Sequence, residues 1–184
     1  KVPIFVSKST SPKLKKGWTT GACAAAATKA SYTALVTGSF PDPVKITLPK
    51  GQTPKFVLAR QSLNPNSASA GIIKDAGDDP DVTHQALIVS RVEFGPPDSG
   101  VSFKAGPGVG IITKPGLPLA VGEPAINPVP RKMMQTFIEE LAQTHASPQD
   151  VLITISVPGG EELALKTWNP RLGILGGISI LGTT

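Results

Sequence analysis

Residues 75–84, with the sequence DAGDDPDVTH, place four aspartates and a histidine within ten positions. We call this segment the aspartate loop. One interpretation is structural, because Asp79-Pro80 favours a turn and each aspartate can accept hydrogen bonds from the nearby backbone. The other is chemical, because four like charges repel one another unless they are neutralised or a pKa rises. On the second interpretation, one of these aspartates transfers a proton, with His84 close to it. The spacing does not fit an EF-hand calcium loop, and we predict no metal site.

A second candidate is AGPGVG at residues 105–110, which we call the glycine loop. It follows a predicted strand and has the glycine content of a nucleotide-binding turn. Such a turn requires a helix to begin immediately afterwards. Here Pro115 and Pro118 exclude a long helix, so the loop is not a Rossmann motif. Gly106, Gly108 and Gly110 could still let a ligand approach the backbone, or could form a structural turn.

The third candidate is a pair of cations, Arg131 and Lys132, in the first turn of a predicted helix. The positive end of the helix dipole is an unfavourable place for positive charge. A bound carboxylate or phosphate would explain the pair, and an exposed pair without a ligand is equally compatible with the sequence. Lys114, Lys166 and Arg171 are further cations set among glycines and prolines.

The helices and strands that position these residues can be predicted from the sequence. Together they form one α+β domain, with a mostly antiparallel sheet and two main helices. Thr19 or Thr20 caps a helix within 17–39, and Gly38 ends it. Asn127-Pro128 begins the second helix, whose apolar face includes His145 as a core residue. The remaining predictions are hairpins of 44–49 with 55–60 and of 86–94 with 101–105, a loop at 64–71, strands at 70–75 and 151–157, and a short helix near Glu161.

Composition limits the possible partners. The net charge of +5 is scattered along the chain, which favours small anionic molecules over nucleic acid. Nine aromatic residues are too few for a platform on which nucleic-acid bases stack. Cys23 is the single cysteine, so it is expected to be a small buried apolar residue without a disulfide or thiolate metal site. The apolar stretch 172–181 is too short to cross a membrane. We therefore expect a cytoplasmic protein with no membrane partner.

Five long segments together resemble one known family. They are GWTTGACAAAA, DAGDDPDVTH, GVGIITKPGL, VGEPAINPVPRKM and PGGEELALKTWNPRLGILGGISILGTT, and they occur in this order from Gly17 to Thr184. On these segments the chain is similar to the cobalt-precorrin-5B C1-methyltransferase family (CbiD). Two positions depart from the family pattern: Trp18 stands where the family usually has tyrosine, and Pro107 where it usually has glutamate.

The resemblance implies a lead-in at 1–16 and an N-terminal α+β domain at 17–184, with the family's C-terminal Rossmann-like domain absent from this chain. It also implies transfer of a methyl group from S-adenosylmethionine to C1 of a cobalt tetrapyrrole in anaerobic cobalamin biosynthesis, with cobalt present only as part of the substrate. This chain would be the part that holds the substrate and would be inactive by itself. The alternatives are a non-catalytic module that binds an anion or tetrapyrrole or docks the other domain, and, as the weakest, a divalent-metal hydrolase.

The resemblance further assigns roles to the candidate residues. Asp78, Asp79 or His84 would transfer ring protons as C1 becomes quaternary. Gly106, Gly108 and Gly110 of the glycine loop would contact the methyl donor. The acetate and propionate groups of the tetrapyrrole would be bound by four cations: Lys114, Arg131, Lys132 and Arg171.

Overall fold

The computed structural model describes residues 11–182. The first ten residues of the predicted lead-in and the last two residues of the chain lie outside the described residues. The fold is α+β with a mostly antiparallel sheet, as predicted. The helices are α1 Thr20–Thr37, α2 Pro128–His145, α3 Gly160–Ala164 and α4 Asn169–Leu172. The strands are β1 Val44–Lys45, β2 Lys55–Phe56, β3 Arg60–Leu63, β4 Ser67–Ile73, β5 Leu87–Phe94, β6 Val101–Ala105, β7 Gly108–Val109, β8 Ile111–Ile112, β9 Val151–Ser156, β10 Ile174–Leu175 and β11 Gly177–Ile178.

The main sheet has the strand order β3-β4-β5-β9-β6, and only β6 and β9 pair in parallel. The predicted hairpin of β5 with β6 is wrong, because β9 lies between them and pairs with both. Val151, Ile153 and Ile155 of β9 are completely buried. A strand with this much apolar surface is most stable in the centre of a sheet, and the local turn signal at 95–100 gives no information about so distant a pairing. The predicted β1–β2 hairpin is confirmed.

The prediction of a loop at 64–71 is also wrong beyond residue 66, because Ser67 begins β4. Ala68 and Ala70 are buried, and β4 contacts α1 closely. Their small side chains allow the helix to approach the strand. The sequence SASA therefore serves close packing, although its composition is typical of a loop.

Helix α1 is buried over most of its surface, and the residues that are partly exposed lie in its second half. Thr19 caps its start by accepting a hydrogen bond from the Ala22 N–H, and Gly38 ends it in the left-handed conformation, with φ of 83°. The helix packs against β4, β5 and α2. Two polar contacts fix it to the sheet: Thr28 Oγ1 lies 2.7 Å from Ser90 Oγ, and Ser31 donates to the Ser90 carbonyl. An alanine-rich helix of this kind suits a position in the core, where neighbours surround it.

Helix α2 begins with Asn127 as N-cap and Pro128 in the first position, as predicted. Its buried face includes Met134 and Ile138. The prediction of His145 as a core residue is wrong, because His145 is exposed. It is the last residue of the helix, where the buried face has already ended.

Arg131 anchors the first turn of α2 to the segment before it. Its Nε donates to the Ile126 carbonyl at 2.6 Å, its Nη2 to the Pro124 carbonyl at 2.9 Å, and its Nη1 to the Glu123 carboxylate at 2.9 Å. The guanidinium also lies 5.2 Å from the centre of the Phe103 ring. These contacts neutralise the cation that the helix dipole disfavours.

The glycine loop lies at a junction of closely packed backbones. β7 pairs with β11, and β8 pairs with β10, so the C-terminal segment returns to the residues that follow β6. A Cβ at Gly106 would overlap with the Ser156 hydroxyl, and one at Gly108 with the Val157 carbonyl oxygen. A Cβ at Gly110 would crowd the Ile174 side chain. Close packing therefore accounts for the missing side chains at these positions.

We predict that Gly108→Ala lowers the free energy of unfolding more than Gly159→Ala does. Both glycines have positive φ, 84° and 77°, so both variants incur about 1–2 kcal/mol of backbone strain. Only the Gly108 variant also overlaps with the Val157 backbone, and its total loss should exceed about 3 kcal/mol. Urea denaturation measures both, and equal losses would contradict the packing role.

We also predict that Arg131→Met lowers the free energy of unfolding by about 2–3 kcal/mol, because it leaves partly buried acceptors without their charged donor. The matched variant is Lys132→Met, at the exposed next position, which should change stability by less than about 0.5 kcal/mol. If both variants are as stable as the parent in urea denaturation, Arg131 does not anchor α2.

Candidate functional site

A cleft of about 360 Å³ opens between the end of the aspartate loop, the start of α1 and the C-terminal segment. We call it the Lys74 cleft. Its lining includes Lys74, Asp81 and Thr83 from the aspartate loop and the residue before it, and Trp168 and Asn169 from the C-terminal segment. Its remaining lining residues are Thr19, Thr20, Val82, Thr167, Leu172, Ile178, Ser179 and Leu181.

Lys74 forms the polar floor of this cleft. Its side chain is only 2% exposed. Its ammonium donates to Asp81 Oδ2 at 2.8 Å and to Thr83 Oγ1 at 2.6 Å. Burying an ammonium is costly unless it is paired and hydrogen-bonded. The described residues provide these two side-chain acceptors, so the charge is held in one position.

Asp81 holds this arrangement together. Its Oδ1 accepts hydrogen bonds from the backbone N–H of Thr83 at 2.8 Å and from the Thr83 hydroxyl at 2.6 Å. Partial burial acts to raise the pKa of Asp81, but the hydrogen bonds from Lys74 and Thr83 outweigh it and lower the pKa to about 2. The carboxylate is therefore ionised at neutral pH and forms a lasting ion pair with Lys74.

The C-terminal residues that line the cleft include exposed aromatic and apolar side chains. Trp168 is 69% exposed and Leu172 is 48% exposed. The Arg171 guanidinium lies 5.1 Å from the centre of the Trp168 ring, a cation–π distance. Asn169 Nδ2 donates to the Gly177 carbonyl and to Ser179 Oγ, which ties α4 to β11. An exposed indole with a cation beside it is suited to contact with a planar anionic ligand.

The start of α1 closes the end of the cleft. Gly21 N–H donates to the Leu181 carbonyl at 2.9 Å, and Leu181 N–H donates to Thr20 Oγ1 at 3.0 Å. These bonds fix the C-terminal segment against the helix. The first bond also occupies one backbone donor of the first turn, the Gly21 N–H, while Thr19 and Thr20 at the positive end of the helix dipole line the cleft.

The aspartate loop mainly holds the segment that precedes α1. Asp75 forms an ion pair with Lys15 at 2.7 Å, and Asp78 accepts a hydrogen bond from the Lys15 backbone N–H. The pKa of Asp75 is lowered, first by the hydrogen bond from Lys15 and then by that from the Gly77 N–H. His84 Nδ1 accepts a hydrogen bond from the Ala76 N–H at 3.0 Å. Within the described residues, two of the four carboxylates of this loop are therefore paired with a lysine, Asp75 with Lys15 and Asp81 with Lys74.

The predicted site residues do not meet at one point. Asp78, Asp79 and His84 are exposed and do not line the Lys74 cleft. The glycine loop lies behind one side of the cleft, because its strand β7 pairs with β11, whose Ile178 lines the cleft. Their proposed roles stay predictions.

The four predicted cations also lie apart. Arg171 is on α4 beside the cleft, through Trp168, and the side chain of Lys114 packs beside Gly173. Lys132 lines a different, largely apolar groove of about 480 Å³ with Phe137 and Leu48. The guanidinium of Arg131 is occupied by protein acceptors.

Sequence reasoning missed Lys74, Asp81 and Trp168 as a group. A lysine at the end of an apolar strand, followed seven residues later by an aspartate, was the available signal for the ion pair. No local pattern indicates that Trp168 lines the same cleft, because α4 reaches the cleft through the pairing of β11 with β7.

Other kinds of site have less support. Cys23 is buried, and burial raises the pKa of its thiol to about 12, so it is not a nucleophile. Within residues 11–182, no three histidine, cysteine, aspartate or glutamate side chains are grouped so that they could hold a metal ion. Over the same residues, no helix has the length and apolarity needed to cross a membrane.

Comparison with known proteins agrees with the segments that first suggested a family. The cobalt-precorrin-5B C(1)-methyltransferase of Brucella anthropi is 64% identical over 172 residues, which make up 94% of this chain and 47% of that protein. The enzyme of the same name from Brucella ovis is 63% identical over the same shares. The chain thus spans about half the length of the curated relatives it matches.

A solved structure is also similar. It is the 1.9 Å crystal structure of the cobalamin biosynthesis protein cbiD from Archaeoglobus fulgidus, with a TM-score of 0.68 and 31% sequence identity, covering 93% of this chain and 53% of that one. The CbiD family model matches residues 7–184. The resemblance predicted from the sequence is confirmed, and the chain belongs to the CbiD family.

Proposed function

We propose that this chain is the substrate-holding part of a cobalt-precorrin-5B C1-methyltransferase. The observation that carries the proposal is the Lys74 cleft, which is lined by both a buried ammonium and an exposed indole. A tetrapyrrole with acetate and propionate side chains presents both complements, a flat ring and carboxylates. The names of the Brucella relatives support a cobalt-precorrin as the substrate.

The proposed methyl transfer depends mainly on the positions of the two reactants. S-adenosylmethionine supplies the methyl group when bound, and C1 of the macrocycle receives it. Holding the two reacting carbons in line supplies a large part of the rate. In this proposal Trp168 sets the plane of the macrocycle, and the exposed cations Arg171 and Lys114 bind its outer carboxylates.

The three glycines predicted to contact S-adenosylmethionine have little open space beside them. The space beside Gly106, Gly108 and Gly110 is filled by Ser156, Val157 and Ile174. The helix dipole that such a loop would need is also missing, because the short strand β8 follows it. A role of the glycine loop in shaping the wall behind the Lys74 cleft is therefore better supported than direct contact with the donor.

A role for the aspartate loop in proton transfer remains part of the proposal, with different support for each residue. Asp79 is exposed, whereas Asp78 accepts a hydrogen bond from the Lys15 backbone. Accepting a proton at His84 Nδ1 would break its hydrogen bond with the Ala76 N–H. Of the two aspartates, Asp79 therefore has the freer carboxylate among the described contacts.

One observation favours the alternative of a docking module. The C-terminal segment exposes Leu165 by 76% and Leu175 by 51%, in addition to Trp168. Apolar groups exposed together often mark an interface. On this alternative, the segment seats the part of the relatives that this chain does not span.

A chimera tests the proposed function. The matching segment of the Brucella anthropi relative would be replaced by this chain, and methyl transfer to cobalt-precorrin-5B would be followed by mass spectrometry. We expect a folded chimera with kcat/KM within about tenfold of the parent. Trp168→Ala in the chimera should raise KM for the tetrapyrrole by about tenfold or more, since stacking on an aromatic ring contributes about 1–3 kcal/mol.

The matched control is Val121→Ala, which truncates another exposed apolar residue away from the Lys74 cleft. It should leave KM unchanged. A folded chimera without methyl transfer would contradict the proposed function. An active chimera in which Trp168→Ala lowers stability but leaves KM unchanged would favour the docking module.

A further inference from the structure

We infer that Lys74 binds a carboxylate group of the ligand that occupies the Lys74 cleft, and that Asp81 and Thr83 hold its ammonium in position to do so. The inference rests on the proposed function for the identity of the ligand, and on the geometry of the cleft for the residue. Lys74 belongs to none of the motifs that first suggested a site.

Lys74 is buried although it carries a charge. It follows the apolar residues of β4 and is as buried as the core around it. An isoleucine or methionine could fill such a position without the cost of removing a charge from water, since replacing a buried ion pair by apolar groups is often neutral or stabilising. Packing alone therefore does not account for an ammonium at the floor of an open cleft.

The Lys74 ammonium has room for one more hydrogen bond. An ammonium has three N–H donors. Within residues 11–182, those of Lys74 have two protein acceptors, Asp81 Oδ2 and Thr83 Oγ1. Asp81 is itself occupied, because it also accepts two hydrogen bonds from Thr83. The ammonium therefore has capacity for one more acceptor, and Asp81 is already bound on both oxygens.

The charges around the cleft favour an anionic ligand. The Lys74–Asp81 ion pair has a net charge close to zero. It therefore contributes a fixed N–H donor to the cleft and little net charge. Asp75, another carboxylate of the loop, is paired with Lys15. The start of α1 and Arg171 add positive potential. An anion is thus favoured over a cation as the group that approaches Lys74.

The shape of the cleft defines the rest of the ligand. Trp168 and Leu172 line the same cleft as Lys74, so a ligand that brings a carboxylate to Lys74 and fills the cleft also contacts exposed aromatic and apolar side chains, which favours a molecule with a flat or apolar body. Two ligands of the proposed reaction have this chemistry: the methyl donor, through its amino-acid carboxylate, and the tetrapyrrole, through an acetate or propionate group.

Calorimetric titration of this chain distinguishes the two sources. The probes are S-adenosylhomocysteine and cobalt uroporphyrin, a tetrapyrrole with carboxylate side chains. We expect Lys74→Met to weaken one of them by about 10- to 100-fold, the range for a lost hydrogen bond to a charged group. If that probe is S-adenosylhomocysteine, 5′-methylthioadenosine, which lacks the amino-acid carboxylate, should bind the variant and the parent equally.

Two further variants keep the test decisive. Lys74→Met leaves Asp81 unpaired and can lose its fold, so the double variant Lys74→Met/Asp81→Asn removes both charges together and should fold. The control is Lys104→Met, which removes an exposed lysine of β6 and should leave both affinities unchanged.

Unchanged affinity for both probes in a folded Lys74 variant would overturn the inference. An equal loss in the Lys104 control, or no binding of either probe to the parent chain, would overturn it as well. These results differ from a failure of the proposed function, which would show as normal Lys74-dependent binding in a chimera that transfers no methyl group.

Discussion

The close approach of α1 to the sheet is the constraint on which the rest of the structure depends. The alanine surface of α1 faces Ala68 and Ala70 of β4, and Thr28 and Ser31 bind Ser90 of β5. Side chains this small bring backbones together and leave little room for adjustment. The buried position of α1 fixes where its first turn begins, and that turn is the end of the Lys74 cleft.

The cleft then follows from two chain segments that meet at this turn. The C-terminal segment is bound to Thr20 and Gly21 through Leu181, and β4 delivers Lys74 from the sheet beside it. The close packing of Gly108 against Val157 and of β7 against β11 positions α4 and Trp168 at the same cleft. The polar floor and the aromatic side therefore come from parts of the chain about one hundred residues apart in sequence.

Local signals predicted much of this fold and little of the site. The caps at Thr19, Gly38 and Asn127 defined both long helices, because capping depends on neighbouring residues alone. The insertion of β9 between β5 and β6 was not predictable, because it depends on which edge buries more apolar surface. The aspartate loop drew attention through its charge, yet Asp75 and Asp78 bind the segment at Lys15, and Asp81 serves a lysine that composition alone would place at the surface.

The most direct measurement is a map of where the cobalt of the proposed tetrapyrrole ligand lies on this chain. Cobalt(II) is paramagnetic and broadens the NMR signals of nearby amide groups, so cobalt uroporphyrin added to the ¹⁵N-labelled chain reports the position of its own ring. If the tetrapyrrole binds in the Lys74 cleft, we expect selective broadening of the amide signals of Lys74, Thr83, Trp168 and Leu181. The zinc form of the same ring should cause no such broadening. Broadening confined to the groove between Leu48 and Phe137 would contradict binding in the Lys74 cleft.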